Sequence, residues 1–145
     1  MPEALDITLG ALISTGSSIS ITAGGSILDG DTAGDSSIHL QASCLRLIAC
    51  SSFGSGSNHL ETSVTTLSAG AATGSIFVTE TSAVTIGSTS ATVQRVGSNA
   101  LTTVLTDSVQ TDLTAGGSVI LATVSGGITL EDGSDLDGSA VTSTT

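Results

Sequence analysis

One phrase constrains this chain more than anything else in it. The stretch Ser17 to Gly30, SSISITAGGSILDG, joins two short β-branched runs, Ile19-Ser20-Ile21-Thr22 and Ile27-Leu28, through the paired Gly24-Gly25. It returns near the other end as Gly117-Ser118-Val119-Ile120-Leu121-Ala122 followed by Gly126-Gly127-Ile128-Thr129-Leu130-Glu131-Asp132-Gly133. A repeated unit of this length cannot bury its apolar face alone and must stack on copies of itself. Within the unit the alternation has a period of two, with Ile19, Ile21 and Ala23 on one side and Ser18, Ser20 and Thr22 on the other. That is the signature of a strand with one buried face. The same reading fits Ile38-Leu40-Ala42 against Ser37-His39-Gln41, and Val84-Ile86 against Thr85.

β-branched runs bounded by Gly, Ser, Asn and Asp predict short strands at 5–9, 18–22, 26–28, 37–41, 45–49, 60–67, 75–79, 83–86, 92–96, 101–105, 108–113, 118–124 and 127–131, with essentially no helix. Strand centres recur at about 19–20 residues, as from Val64 to Val84 to Val104, which predicts a coil of that length and roughly seven coils. The 145 residues are a single-domain length, read as one solenoid segment over 1–145 with a loop-like interruption at 51–58, SSFGSGSN. Composition supports a thin interior: there is no Trp and no Tyr, and two Phe, while 25 Ser and 23 Thr accompany an apolar set of Ala, Val, Ile and Leu. A sandwich core commonly relies on a large aromatic; a stacked parallel solenoid does not. The mean hydropathy of +0.45 and the ordered alternation argue against a disordered Ser/Gly tract.

Charge excludes several functions. The net charge of −11, with Arg46 and Arg95 as the cations, provides nothing to neutralise phosphates, so no nucleic acid is expected as a partner. No apolar run reaches the length of a spanning helix, so membrane insertion is not expected. The start, Met1-Pro2-Glu3-Ala4, lacks the form of a signal peptide, which is expected either of a cytosolic chain or of an excised piece of a longer secreted one; the strand pattern already under way at Leu5-Asp6-Ile7-Thr8-Leu9 and the trailing Val141-Thr142-Ser143-Thr144-Thr145 favour the second.

The phrases SSISITAGGSILDG, DSSIHLQAS and GGITLEDG resemble the haemagglutination-activity repeats of filamentous-haemagglutinin-like adhesins. The match in detail covers 17–30, 36–43 and 117–133. The resemblance implies an all-β, single-stranded right-handed parallel β-helix (β-solenoid). It also implies a secreted or cell-surface location in bacteria, and a stalk or adhesive fibre whose partners are host or neighbouring-cell surface glycans or proteins. A second expectation is a filament subunit that self-associates end to end through open solenoid edges. A third is a calcium- or glycan-binding module.

Candidate sites are few. Glu131-Asp132-Gly133-Ser134-Asp135-Leu136-Asp137-Gly138 interleaves carboxylates with glycine, which suits a hard cation, and Asp132, Asp135 and Asp137 are the candidate calcium ligands. The spacing departs from both the twelve-residue calcium loop and the nonapeptide calcium repeat, and Asp-Gly is also a common turn dipeptide. The cluster Asp29, Asp31 and Asp35 is weighed in the same way. No enzyme is expected: paired-carboxylate sugar hydrolysis needs an aromatic platform that this composition does not supply, and no other cofactor is implied. His39, on the polar face of its strand, and His59 read as exposed surface histidines. Cys44 and Cys50 can bridge if the chain turns between them, and cannot if 44–50 is one extended strand.

Overall fold

The alternation at Ile19, Ile21 and Ala23 becomes strand β3 (Ser18–Ala23) in a computed structural model of the chain, which describes residues 4–144. Its three apolar side chains are buried, and Ser18, Ser20 and Thr22 face outward. The same rule builds β1 (Ile7–Leu9), β4 (Ile27–Asp29), β5 (Leu40–Ala49), β6 (Leu60–Ala71), β7 (Ile76–Glu80) and β8 (Val84–Ile86), while the two-residue β2 (Leu12–Ile13) leaves both its apolar side chains exposed. After a hairpin of β9 (Thr92–Val96) and β10 (Thr102–Thr106) come β11 (Leu113–Ala115), β12 (Val119–Thr123), β13 (Ile128–Leu130) and β14 (Val141–Ser143). No helix occurs among the described residues, so none is present that is long and apolar enough to cross a membrane.

Every pairing between these strands is parallel except β9 with β10. Register places like residues above one another. Ile21 pairs with Leu47, Leu47 with Ala69, Ala69 with Leu113 and Leu113 with Val141. A second column runs Ile19, Leu45, Leu67, Ile86, Leu130. A third runs Ile7, Ile27, Phe53, Ile76, Val119. Leu45, Leu47, Leu67, Ile27, Phe53, Ile76, Ile86 and Leu113 have no solvent exposure, and each such burial contributes about 1.5–3 kcal/mol. This settles the structure as all-β and built of parallel sheets. Among the described residues no sheet closes on itself.

Side chains at one corner repeat the ladder. Asp6 Oδ1 accepts the Ser26 amide at 2.6 Å, Ser26 Oγ the Ser52 amide at 3.4 Å, Ser52 Oγ the Ser75 amide at 3.0 Å, and Ser75 Oγ the Ser118 amide at 3.0 Å. Successive levels are therefore 20, 26, 23 and 43 residues apart rather than a uniform 19–20. The strands keep the register, and the connections absorb the differences in length.

Two connections differ from expectation. The stretch 51–58 is not thrown clear of the sheets: Phe53 is fully buried, bridged in parallel to Ile27 and Ile76, and only Ser55–Asn58 makes a tight turn. Gly54 has φ +58° there, and a Cβ on it would lie 2.8 Å from the Phe77 carbonyl oxygen, so no other residue fits. The true excursion is the β9–β10 hairpin, whose strands are exposed throughout although both match the repeat in sequence. Arg46, buried on the outer face of β5, ties its base down: Nε donates to the Ser108 carbonyl at 3.0 Å and Nη1 to Ser20 Oγ at 3.2 Å. Ser68 and Thr89 are hydrogen-bonded through their hydroxyls beside it. The 108–113 segment, expected as a strand, instead returns from the hairpin, with Asp112 at φ +59°. The predicted strands 37–41 and 45–49 form one strand, β5. Cys44 and Cys50 accordingly lie along and just past an extended segment, and both are free thiols.

Candidate functional site

Strand β4 ends at Asp29, and the chain makes a glycine-containing loop before entering β5 at Leu40. The loop is shaped by its own carboxylates: Asp29 Oδ1 accepts the Asp31 amide at 2.7 Å, and Asp35 Oδ1 accepts the Ser37 amide at 2.6 Å. Such Asx contacts let short acidic residues turn the backbone. His39 closes the loop. Its amide donates to the Glu61 carbonyl at 3.0 Å, and its carbonyl accepts from Leu12 at 2.8 Å, so its backbone is fixed in the parallel ladder.

The His39 side chain has no solvent exposure, which corrects the expectation of a surface histidine. Its outward position is roofed by the 29–35 loop and by Glu61. Nε2 lies 2.8 Å from Asp29 Oδ1 and 3.3 Å from Asp31 Oδ2, while Nδ1 lies 3.3 Å from Glu61 Oε2. The Asp29 side chain is 1% exposed and that of Asp31 49%. Neither ring nitrogen has a hydrogen-bond partner, and neither do Asp29 Oδ2, Asp35 Oδ2 and Glu61 Oε2, all of them buried. Buried polar atoms without a hydrogen bond are rare in folded proteins, and here five gather at one corner, three of them (both His39 nitrogens and Glu61 Oε2) held only in ion-pair contact. Burial, and then the Asp29 charge, push the Glu61 carboxyl above its ordinary value; its own backbone hydrogen bond and His39 oppose the shift, and Asp35 adds to it. Ligand atoms of Asp29, His39 and Glu61 lie within 4.8 Å of one another, as do those of Asp29, Asp31 and Asp35, so Asp29 joins two groups that could each hold a cation.

At the expected calcium residues the structure makes a different grouping. Asp132 Oδ1 accepts the amides of Gly138 at 2.7 Å and Ser139 at 3.0 Å, closing the turn. Asp135 Oδ2 accepts the Thr111 hydroxyl at 2.8 Å, and Asp137 Oδ1 accepts the Ser139 amide at 2.8 Å. Asp135 and Asp137 come together with Asp112, whose acidic atom lies within 4.8 Å of theirs, and not with Asp132. Asp112 is buried with Oδ1 unpaired, and its carboxyl is raised by burial first and then by Asp135. Nothing local in DSVQTDLT marks it, because its partners lie more than twenty residues further along.

A cleft beside the His39 corner is lined by Asp35, Gly56, Ser57, His59, Glu61 and Thr79. His59 Nδ1 is 2.9 Å from Thr79 Oγ1, and its ring packs 5.8 Å from Phe77, so this second histidine is positioned but has no acidic cage. Asp35 also lines a second opening, with Gly30, Asp31, Thr32 and Ser37. Among known proteins, no family model matches the chain, and no curated protein or solved structure shows significant similarity to it.

Proposed function

We propose that the chain is a parallel β-solenoid segment of a bacterial extracellular surface protein or fibre, a non-enzymatic scaffold with adhesive use, of the filamentous-haemagglutinin-like kind. The observation that carries this reading is the column Ile21, Leu47, Ala69, Leu113, Val141, in which five successive strands repeat one inward position in parallel register. A stack of this type confers length and stiffness and presents connections sideways, where recognition is placed on loops over a rigid frame. The exposed hairpin, with Val93, Val96, Leu101, Val104 and Leu105 all at least half exposed, is such a presentation. Amide hydrogen exchange tests the scaffold. Protection should be greatest in β5 and β6, which are paired on both edges, and should fall toward β1 and β14; equal protection in the hairpin and in β5 would overturn the reading. Beads coated with the chain and presented to epithelial and bacterial surfaces test adhesion.

A second reading, end-to-end association of copies, has its own support. Ile128, Leu130 and Val141 belong to the inward columns yet are 41%, 58% and 39% exposed, because no described strand stacks beyond them. Their uncovered apolar face suits a further coil. Sedimentation velocity should show concentration-dependent oligomers that Leu130→Asp abolishes. Monomers at high concentration would exclude it.

A further inference from the structure

We propose that the corner between β4 and β5 is a binding site for a divalent transition ion of the zinc or manganese class. Asp29, Asp31 and His39 supply the ligands, Asp35 stands at its open side, and Glu61 orients the histidine. A group of acidic residues alone would not carry this. The buried imidazole does: His39 has no solvent exposure, both of its nitrogens lack a hydrogen-bond partner, and Nε2 points at two carboxylates while Nδ1 points at a third.

The distances fit the assignment. Ligand atoms around an ion with bonds of about 2.0–2.1 Å are separated by about 2.8–3.0 Å along the edges of an octahedron and about 3.3–3.4 Å along those of a tetrahedron. His39 Nε2 stands 2.8 Å from Asp29 Oδ1 and 3.3 Å from Asp31 Oδ2. The Nδ1 contact with Glu61 Oε2 at 3.3 Å lacks hydrogen-bond geometry as it stands; with an ion on Nε2 it would close to an outer carboxylate that accepts the other ring N–H, fixing the tautomer and raising the basicity of the ligand nitrogen. Imidazole among the donors selects against calcium, which takes oxygen ligands. The ion would also relieve the repulsion among Asp29, Asp31, Asp35 and Glu61 and pin the 30–39 connection onto the sheet edge.

The competing occupant of the same cage is a proton, giving an imidazolium held by carboxylates. The full-length chain, stripped with EDTA at neutral pH, should be titrated with ZnCl2, MnCl2 and CaCl2 by calorimetry and thermal melting. The expected result is one equivalent of zinc or manganese bound with a rise in melting temperature, and no comparable effect of calcium at the same concentration. His39→Ala should abolish that binding. Because a buried histidine can matter for folding, Asp31→Asn, at a half-exposed side chain, is the second variant: it should weaken binding at least about tenfold with an unchanged circular dichroism spectrum. Glu61→Gln should weaken it about 10–100-fold. In nitrogen NMR, zinc should shift His39 Nε2 and leave Nδ1 protonated. A folded wild-type chain that binds neither zinc nor manganese, or a His39 imidazolium signal that persists in excess zinc, would overturn the proposal. So would binding that survives in both His39→Ala and Asp31→Asn.

Discussion

Glu80 Oε2 accepts the hydroxyl of Thr62 at 2.7 Å, one level of the stack away, with both residues completely buried. The same oxygen accepts the Val64 amide at 3.0 Å, and Oε1 accepts the amide and hydroxyl of Ser82 at 3.1 and 3.2 Å. Four donors thus surround one carboxyl group where β7 turns toward β8, and a buried polar side chain is tolerated because its acceptor capacity is filled. Glu80→Gln keeps the shape but sets an NH2 against donors. It should cost about 2–4 kcal/mol in urea unfolding, and a loss under 0.5 kcal/mol would contradict this role.

Phe53 supplies a parallel test of packing. Its ring fills the column between Ile27 and Ile76, so Phe53→Ala should destabilise by about 3–5 kcal/mol. Val104→Ser, at a side chain 70% exposed on the hairpin, should change stability by no more than about 0.5 kcal/mol. Equal effects at the two sites would mean that 51–58 is peripheral.

Trypsin offers a simple map of the excursion. The chain has two cleavable cations: Arg46, clamped under Ser108, and Arg95, exposed in β9. Native protein should be nicked after Arg95 alone, with the two fragments remaining associated through the β6–β11 pairing. Early cleavage after Arg46 would show that the hairpin base is not held as described.

The raised carboxyls give a pH dependence of known sign. Glu61 and Asp112 hold their protons more tightly folded than at the ordinary values of 4.5 and 3.8, chiefly because burial disfavours the charge, aided by Asp29 and Asp35 around Glu61 and by Asp135, Asp137 and Asp132 around Asp112. Each therefore penalises folding above its folded pKa, and the penalty fades as pH falls toward the ordinary value. In EDTA-containing buffer their contribution to stability should grow as pH is lowered from neutrality to about 4.5. Glu61→Gln and Asp112→Asn should each flatten that slope; unchanged slopes in both variants would contradict the burial argument.

The strands were legible because period-two alternation is a local signal: β3, β7, β8 and β12 lie where Ile19, Ile76, Val84 and Val119 place them. What escaped was whatever depended on stacking. Phe53 sits among Ser and Gly and has the composition of a loop, yet the column above and below it supplies the environment that buries it. Conversely, Thr92–Val96 has strand composition with no neighbouring rung, so it pairs with Thr102–Thr106 outside the stack. The sites followed the same division. Asp132, Asp135 and Asp137 are close in sequence, but the third carboxylate of their group is Asp112. His39 alternates as a polar-face residue, and only the level containing Glu61 and the preceding loop encloses it.

The parallel column at the centre of this account is most directly measured by cross-strand nuclear Overhauser effects in the isotope-labelled chain. Backbone contacts are expected to link Ile21 to Leu47, Leu47 to Ala69, Ala69 to Leu113 and Leu113 to Val141, in parallel register, with antiparallel contacts confined between strands to Thr92–Val96 against Thr102–Thr106. Antiparallel contacts among Ile21, Leu47 and Ala69, or the absence of any contact between Ala69 and Leu113, would contradict it.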